Sequence, residues 1–268
     1  MRRLIVRPGG IGDFIVSIPA MKFLRAHRTE IWCAACNVPL AKFANQARSI
    51  HAAGLDRLGV MPWADDVLER LEGFDSIVSW YGANRPEFRH FVHDMGLPFE
   101  FYAALPDGKL PAHDFFSDQV GAPKGLPPRV EVERRNEGFV VIHPFASNEE
   151  KRWPLEAFQE VAAAFPDVRW LRGPEESLPG AECIEDLGEL AQWLGGASAY
   201  VGNDSGITHL AAAVGVPVVA MFGPTNPAVW APPGAVVLQG EERTPNAVIA
   251  TLRAIHASQG LQVGTAAG

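Results

Sequence analysis

Two α/β halves, each with a mostly parallel sheet covered by helices, are what the sequence predicts. Three observations predict them. Short β-type runs alternate with helical runs along all 268 residues. The alternation occurs twice, on either side of a proline-bearing, charged stretch from Gly121 to Gly138. The composition, 47% apolar and 20% charged, supplies packed cores and argues against disorder. The length also fits about two domains of roughly 150 residues.

In chain order, the first strand candidate is Leu4–Val6. A glycine-rich turn, Gly9-Gly10-Ile11-Gly12-Asp13, follows it, and an amphipathic helix is expected from Ile15 to Leu24. Ile31–Ala35, Arg57–Val60 and Ile77–Trp80 are further strand candidates. The expected linker is 125–138, with Pro127, Pro128 and the charged run Glu131 to Arg135. It separates a first domain, 1–124, from a second, 139–268. In the second, strands are expected at Phe139–His143, Val168–Leu171, Ala199–Gly202 and Val216–Phe222. Helices are expected at Leu155–Ala164, Glu189–Leu194 and Thr208–Val214.

Charge and composition exclude several classes. The net charge is −8, and all of it lies beyond residue 124. An acidic chain argues against general nucleic-acid binding, which rests on basic surface. The nearly apolar run Leu210 to Phe222 is broken by Gly215 and Pro217 and is too short to span a bilayer. The N-terminus does not read as a signal peptide, and three cysteines do not make a disulfide framework. The expectation is a cytoplasmic globular protein. Cys33 and Cys36 have redox spacing, but Cys33 begins inside a strand candidate rather than at a helix N-terminus. No zinc pattern and no Asp-x-Asp occurs, so no metal ligand is assigned.

Three segments carry chemistry. In Pro8 to Arg25, Gly10 and Gly12 let backbone approach a ligand, but the third glycine of a dinucleotide fingerprint is missing and Asp13 stands in the turn. A carboxylate there opposes pyrophosphate and suits a general base, or it caps the helix. In His143 to Phe158, Ser147, Lys151 and Arg152 precede a helix start with Pro154 in its first turn. Cations beside free backbone donors suit a phosphate, although such runs are also ordinary surface. In Tyr200 to Trp230, two polar loops leave the carboxyl ends of neighbouring strands, where open α/β sheets bind ligands. Ser205 and Thr208 offer hydroxyls, the helix start after Gly206 backbone donors, and Asp204 a cap or a sugar contact. His209 lies one turn into the helix. Trp80, Tyr81, Phe88 and Phe91, with Arg85, Arg89, His90 and His93, line an acceptor groove or form an ordinary helix with one apolar face. The second is preferred for most of them.

In these segments, GGIGDFIVSIPAMKFLR, HPFASNEEKRWP and GNDSGITHLAAAVGVPVVAMFGPTNPAVWAP, the sequence resembles the ADP-heptose:lipopolysaccharide heptosyltransferases, the inverting glycosyltransferase family numbered nine. The resemblance implies a GT-B fold: two Rossmann-like α/β domains facing across a cleft, the first for the acceptor, the second for an ADP-sugar, with no required metal or other cofactor. It implies Asp13 as catalytic base, Lys151 near the donor phosphates, and Asp204, Ser205, Gly206 and His209 as the donor motif, with Ser205 in place of the commoner threonine. Glu182 and Glu185 are both candidates for the acidic ribose contact. The expected reaction moves a heptose-like sugar from ADP to a saccharide of lipopolysaccharide-core type. A lipid-linked acceptor would bring the protein to the inner face of the inner membrane. The rival readings are a sugar-nucleotide epimerase on the same plan and a sugar-nucleotide-binding protein that has lost transfer.

Overall fold

A computed structural model of the chain describes residues 1–58 and 65–260. The chain divides into two compact units, Met1–Leu126 and Pro127–Gly268.

The first unit is built on five parallel strands: β1 (Arg2–Arg7), β2 (Arg28–Cys33), β3 (Gln46–Ser49), β4 (Ser76–Ser79) and β5 (Phe99–Phe101), in the order β3-β2-β1-β4-β5. β1 lies in the middle, and its Leu4, Ile5 and Val6 are fully buried because helices cover both faces of a parallel sheet. The edge strands β3 and β5 are short and only partly buried. The helices are α1 (Ile11–Val16), α2 (Ile18–Phe23), α3 (Ile50–Ala53), α4 (Asp65–Glu72), α5 (Pro86–Asp94) and α6 (Ala112–Gln119).

The second unit carries six parallel strands: β6 (Val140–His143), β7 (Val168–Arg172), β8 (Glu182–Cys183), β9 (Ala199–Asn203), β10 (Val218–Phe222) and β11 (Val236–Gln239). Their order is β11-β10-β9-β6-β7-β8. β6, β9 and β10 are buried at every position. The helices are α7 (Leu155–Ala163), α8 (Leu187–Leu194), α9 (Gly206–Ala213), α10 (Pro227–Trp230) and α11 (Pro245–Ser258).

Strand order reverses at β1 in the first sheet and between β6 and β9 in the second. In open α/β sheets that reversal opens a crevice at the carboxyl ends of the strands. The loops after β1, β6 and β9 are the three segments that the sequence singles out.

Four expectations need correction. The helix expected from Ile15 starts at Ile11 and breaks at Ser17, so two short helices stand in place of one. Pro19 opens the second, and Ser17 turns its hydroxyl back onto the Phe14 carbonyl. The strand expected at Arg57–Val60 is a 3-10 turn over Leu55–Arg57, and the third strand is Gln46–Ser49; residues 59 and 60 lie outside the described residues. Pro154 is the N-cap of α7 rather than part of its first turn. The expected linker has no helix or strand, yet from Pro127 onward it belongs to the second unit. Val130, Arg135 and Glu137 give their N–H groups to carbonyls of Ala213, Gly195 and Gly196. The Arg134 guanidinium donates to the carbonyls of Leu194, Gly195 and Ala197, satisfying the end of α8.

Candidate functional site

The carboxyl end of β1 leads through Pro8 and two glycines into α1. Gly9 has φ +105°, a conformation that side chains disfavour, and a Cβ there would lie 2.8 Å from the Asp13 Cβ and Oδ2. Gly10 has an ordinary φ of −72° and is the N-cap, and Gly12 is already helical. The glycine that the turn demands is therefore Gly9, next to the two expected from sequence. Asp13 is the third residue of α1, and its Oδ2 accepts from the Gly10 N–H at 3.1 Å. This is half of a capping box, since Gly10 has no side chain to reciprocate. The carboxylate is partly exposed.

Beneath this turn lies Arg7, 1% exposed. Its guanidinium donates to Ser17 Oγ at 2.9 Å, the Pro8 carbonyl at 2.8 Å and the Asp13 carbonyl at 2.9 Å, and it sits over the Phe116 ring at 4.5 Å. Burial pushes its pKa down to about 10, opposed by the charge of Asp13. Arg7 therefore stays cationic at neutral pH. From the other side, the buried Asn37 amide donates to the carbonyls of Gly9 and Gly10 at 3.3 and 3.4 Å. Neither Arg7 nor Asn37 stands out in the sequence.

The proposed acceptor groove is mostly the ordinary helix face: α5 buries Phe88 and Val92 and exposes His90 and His93. Beside it, a cavity of about 400 Å³ opens at the end of β5, lined by Asn84, Arg89, Phe101, Tyr102 and Leu105. Cys33 is buried at the end of β2, and burial, with the neighbouring Cys36, pushes its thiol up to about 12. A thiol held protonated is a poor redox nucleophile.

In the second unit, β6 delivers His143 and then a loop carrying Ser147, Lys151 and Arg152. Ser147 is exposed in that loop. Asn148 caps a 3-10 turn over Glu149–Lys151 by accepting from the Glu150 N–H. β9 delivers Asn203, Asp204 and Ser205. Lys151 Nζ meets Asp204 Oδ2 at 2.8 Å, and Asp204 is 6% exposed. Asp204 thus holds the lysine and does not cap α9, whose N-cap is Ser205. Asn203, fully buried, ties both ends of the Lys151 loop to β9. Its Oδ1 accepts from the Trp153 N–H and its Nδ2 donates to the Pro144 carbonyl, each at 2.8 Å.

Ser205 is the N-cap of α9 and accepts from the Thr208 N–H at 3.4 Å. The Thr208 hydroxyl joins Tyr200 and the Asn203 carbonyl, which fixes the helix start against β9. Gly206 opens the helix, and His209 is buried one turn in. Arg152 donates to the Ala146 carbonyl at 3.0 Å and lies 3.9 Å from Glu149. A lysine, a helix N-terminus and its free N–H groups thus meet at the strand-order reversal, an arrangement suited to an anion.

Neither Glu182, on the edge strand β8, nor Glu185 is a buried group; both are exposed. The acid brought to the carboxyl ends of β6 and β7 is Glu176, which accepts from His143 Nε2 at 3.1 Å and from the Gly173 N–H at 2.5 Å. Burial opposes its ionisation, but those hydrogen bonds, with the charges of His143 and Arg152, hold its pKa below the usual glutamate value. Its sequence signal was position alone: a carboxylate just past a strand end, in Arg172-Gly173-Pro174-Glu175-Glu176.

Two parallel sheets with polar loops at their reversal points make the chain an α/β protein, and its likeness to the solved heptosyltransferases below gives the GT-B class. Comparison with known proteins gives the family. Residues 110–247 match glycosyltransferase family 9 (heptosyltransferase), and the chain belongs to that family. Lipopolysaccharide heptosyltransferase 1 of Pseudomonas aeruginosa is 54% identical over 41 residues, which span 15% of this chain and 12% of that protein. Several solved structures share the fold, three of them as follows. The glycosyl transferase family 9 protein of Veillonella parvula has a TM-score of 0.74 at 16% identity, covering 96% of this chain and 97% of its own. E. coli ADP-heptose lps heptosyltransferase II has 0.72 at 18%, covering 97% and 100%. E. coli heptosyltransferase WaaC, solved with ADP, has 0.69 at 16%, covering 95% and 100%.

Among the described residues, no group of three or more His, Cys, Asp and Glu side chains is arranged to hold a metal ion, and no helix is long and apolar enough to cross a membrane.

Proposed function

We propose that the chain is an inverting, metal-independent glycosyltransferase that moves a heptose-like sugar from ADP to a saccharide hydroxyl. The observation that carries this reading is the Lys151–Asp204 pair beside the start of α9, at the reversal point of the second sheet. Membership of the family and the neighbour solved with ADP support it.

In this reading the second unit holds the donor. Lys151, Arg152 and the N–H groups at Gly206 stabilise charge as it builds on the departing ADP. Ser205 orders that helix start, Ser147 and His209 line the same edge, and Glu176 is the acid best placed for a ribose hydroxyl. The first unit takes the acceptor. Asp13 accepts the proton of the attacking hydroxyl as the new glycosidic bond forms and the bond to ADP breaks. A single in-line displacement inverts the anomeric carbon. The acceptor is a lipopolysaccharide-core-type saccharide, free or lipid-linked, met in the cytoplasm at the inner face of the inner membrane.

The test is a thermal-shift panel of ADP, UDP, GDP and CMP in excess EDTA, followed by a transfer assay with ADP-sugar. ADP should raise the unfolding midpoint selectively. Occupancy at a hundred times the dissociation constant is worth about 2.7 kcal/mol. A preference for another nucleotide, or stabilisation that needs Mg²⁺, overturns the donor assignment. ADP binding with neither transfer nor donor hydrolysis would make the chain a binding protein.

A further inference from the structure

Among the described residues four cations stand at the carboxyl edge of the second sheet, and three of them are matched; Arg172, at the end of β7, donates to the Gly173 and Glu176 carbonyls. Lys151 rests on Asp204, and Arg152 on the Ala146 carbonyl and Glu149. The fourth, Arg243, follows β11 and the 3-10 turn Gly240–Glu242. Its guanidinium makes no hydrogen bond or ion pair among the described residues, and its Nε is buried with no partner. Glu241 and Glu242, its sequence neighbours, are exposed and form no ion pair with it. A donor that is charged, desolvated and unpaired is costly, and an incoming anion relieves that cost.

The position of Arg243 says which anion. Gly223, just past β10, marks where Arg243 and the Lys151 turn converge. A Cβ on Gly223 would lie 3.0 Å from the Glu150 carbonyl, 3.5 Å from Lys151 Cα and 3.8 Å from an Arg243 guanidinium nitrogen. Trp153, two residues past Lys151, donates its Nε1–H to the Arg243 carbonyl at 3.1 Å. Lys151 brings no net charge, because Asp204 offsets it. A diphosphate arriving there needs a cation that is not already neutralised, and Arg243 is one.

We propose that Arg243 is a second cationic contact for the phosphates of the donor nucleotide, beside Lys151. The inference rests on the donor reading above. A planar guanidinium can bind two phosphate oxygens at once, which an ammonium group does with less geometric control.

Calorimetric titration of ADP into the full chain tests it, with Arg243→Met, Arg243→Lys, Lys151→Met and the exposed control Arg253→Met. Arg243→Met should weaken ADP roughly ten- to hundredfold, the usual worth of a charged hydrogen bond. Arg243→Lys should recover part of the loss, and Arg253→Met should bind as wild type. The thermal shift given by adenosine, which has no phosphate, should be unchanged in Arg243→Met. Unchanged ADP affinity in Arg243→Met while Lys151→Met binds poorly would overturn this inference and leave the donor reading standing. Equal loss of the ADP and adenosine responses would make Arg243 a prop for the loop and overturn it too. A raised KM for the acceptor with unaltered ADP affinity would move the contact to an acceptor phosphate, against the proposal. Failure of the wild-type chain to bind ADP would remove both readings.

Discussion

Asp13 serves as a helix cap with one oxygen while its carboxylate stays partly exposed, so capping and proton transfer do not exclude each other. Asp13→Asn separates them. Asparagine caps about as well as aspartate, so the unfolding midpoint should hold. Transfer should fall roughly 10²–10⁴-fold, the usual worth of a positioned base, with ADP affinity constant by calorimetry. Wild-type turnover in that variant would reduce Asp13 to a cap. Gly9→Ala probes the same turn from the backbone. Its Cβ would press on Asp13, and its φ would cost roughly 1–3 kcal/mol. Chemical denaturation should show that loss, and single-turnover rates should fall with it. Lys151 needs a paired design. Lys151→Met strands the nearly buried Asp204 carboxylate, so stability should drop by about 1–3 kcal/mol along with ADP affinity. Lys151→Met combined with Asp204→Asn should recover stability but not ADP affinity. Recovery of both would show that the lysine matters only to the fold.

At the scale of elements, α11 carries a titration that the fold must suppress. His256 is buried against Ser198 Oγ at 3.0 Å and the Phe165 ring, and burial lowers its pKa. The folded state then binds the proton less readily than the unfolded chain, whose histidine titrates near 6.5. Stability is therefore full above about pH 6.5 and falls as the pH drops below it. His113 is lowered by burial too, against the charge of Asp114, and adds in the same direction. Denaturation midpoints measured between pH 8 and pH 5 should show the decline, and His256→Gln should make it shallower. An identical decline in that variant would clear His256 of the effect.

The buried strands were legible because parallel sheets leave runs such as Val140–His143 and Val218–Phe222 without alternation. The edge strands Phe99–Phe101 and Glu182–Cys183 were not, since two or three residues carry no period. The break at Ser17 was hidden because both short helices share one apolar stripe. At the site, charged residues on glycine-rich turns were visible in the sequence. What holds them was not: Arg7, Asn37 and Asn203 work through carbonyls and N–H groups brought together across as many as 59 residues.

For the whole molecule, two separate cores predict that each unit is a folding unit. A fragment from Pro127 to Gly268 should unfold cooperatively and bind ADP with nearly the affinity of the full chain, while showing no transfer. An unfolded fragment would mean that the second core depends on the first. The strand order also bears on synthesis. β1 lies between β2 and β4, and Leu4 pairs with Ile77; β6 lies between β7 and β9, and Val140 pairs with Ala199. A nascent chain emerging at about 5–20 residues per second therefore carries Leu4, Ile5 and Val6 for several seconds before the strand that covers one side of them exists. The second sheet repeats the wait with β6. Each unit thus has an interval on the ribosome when a central, fully buried strand core has one edge open. The first unit can end its interval before the second begins, because no strand of its sheet comes from beyond residue 126.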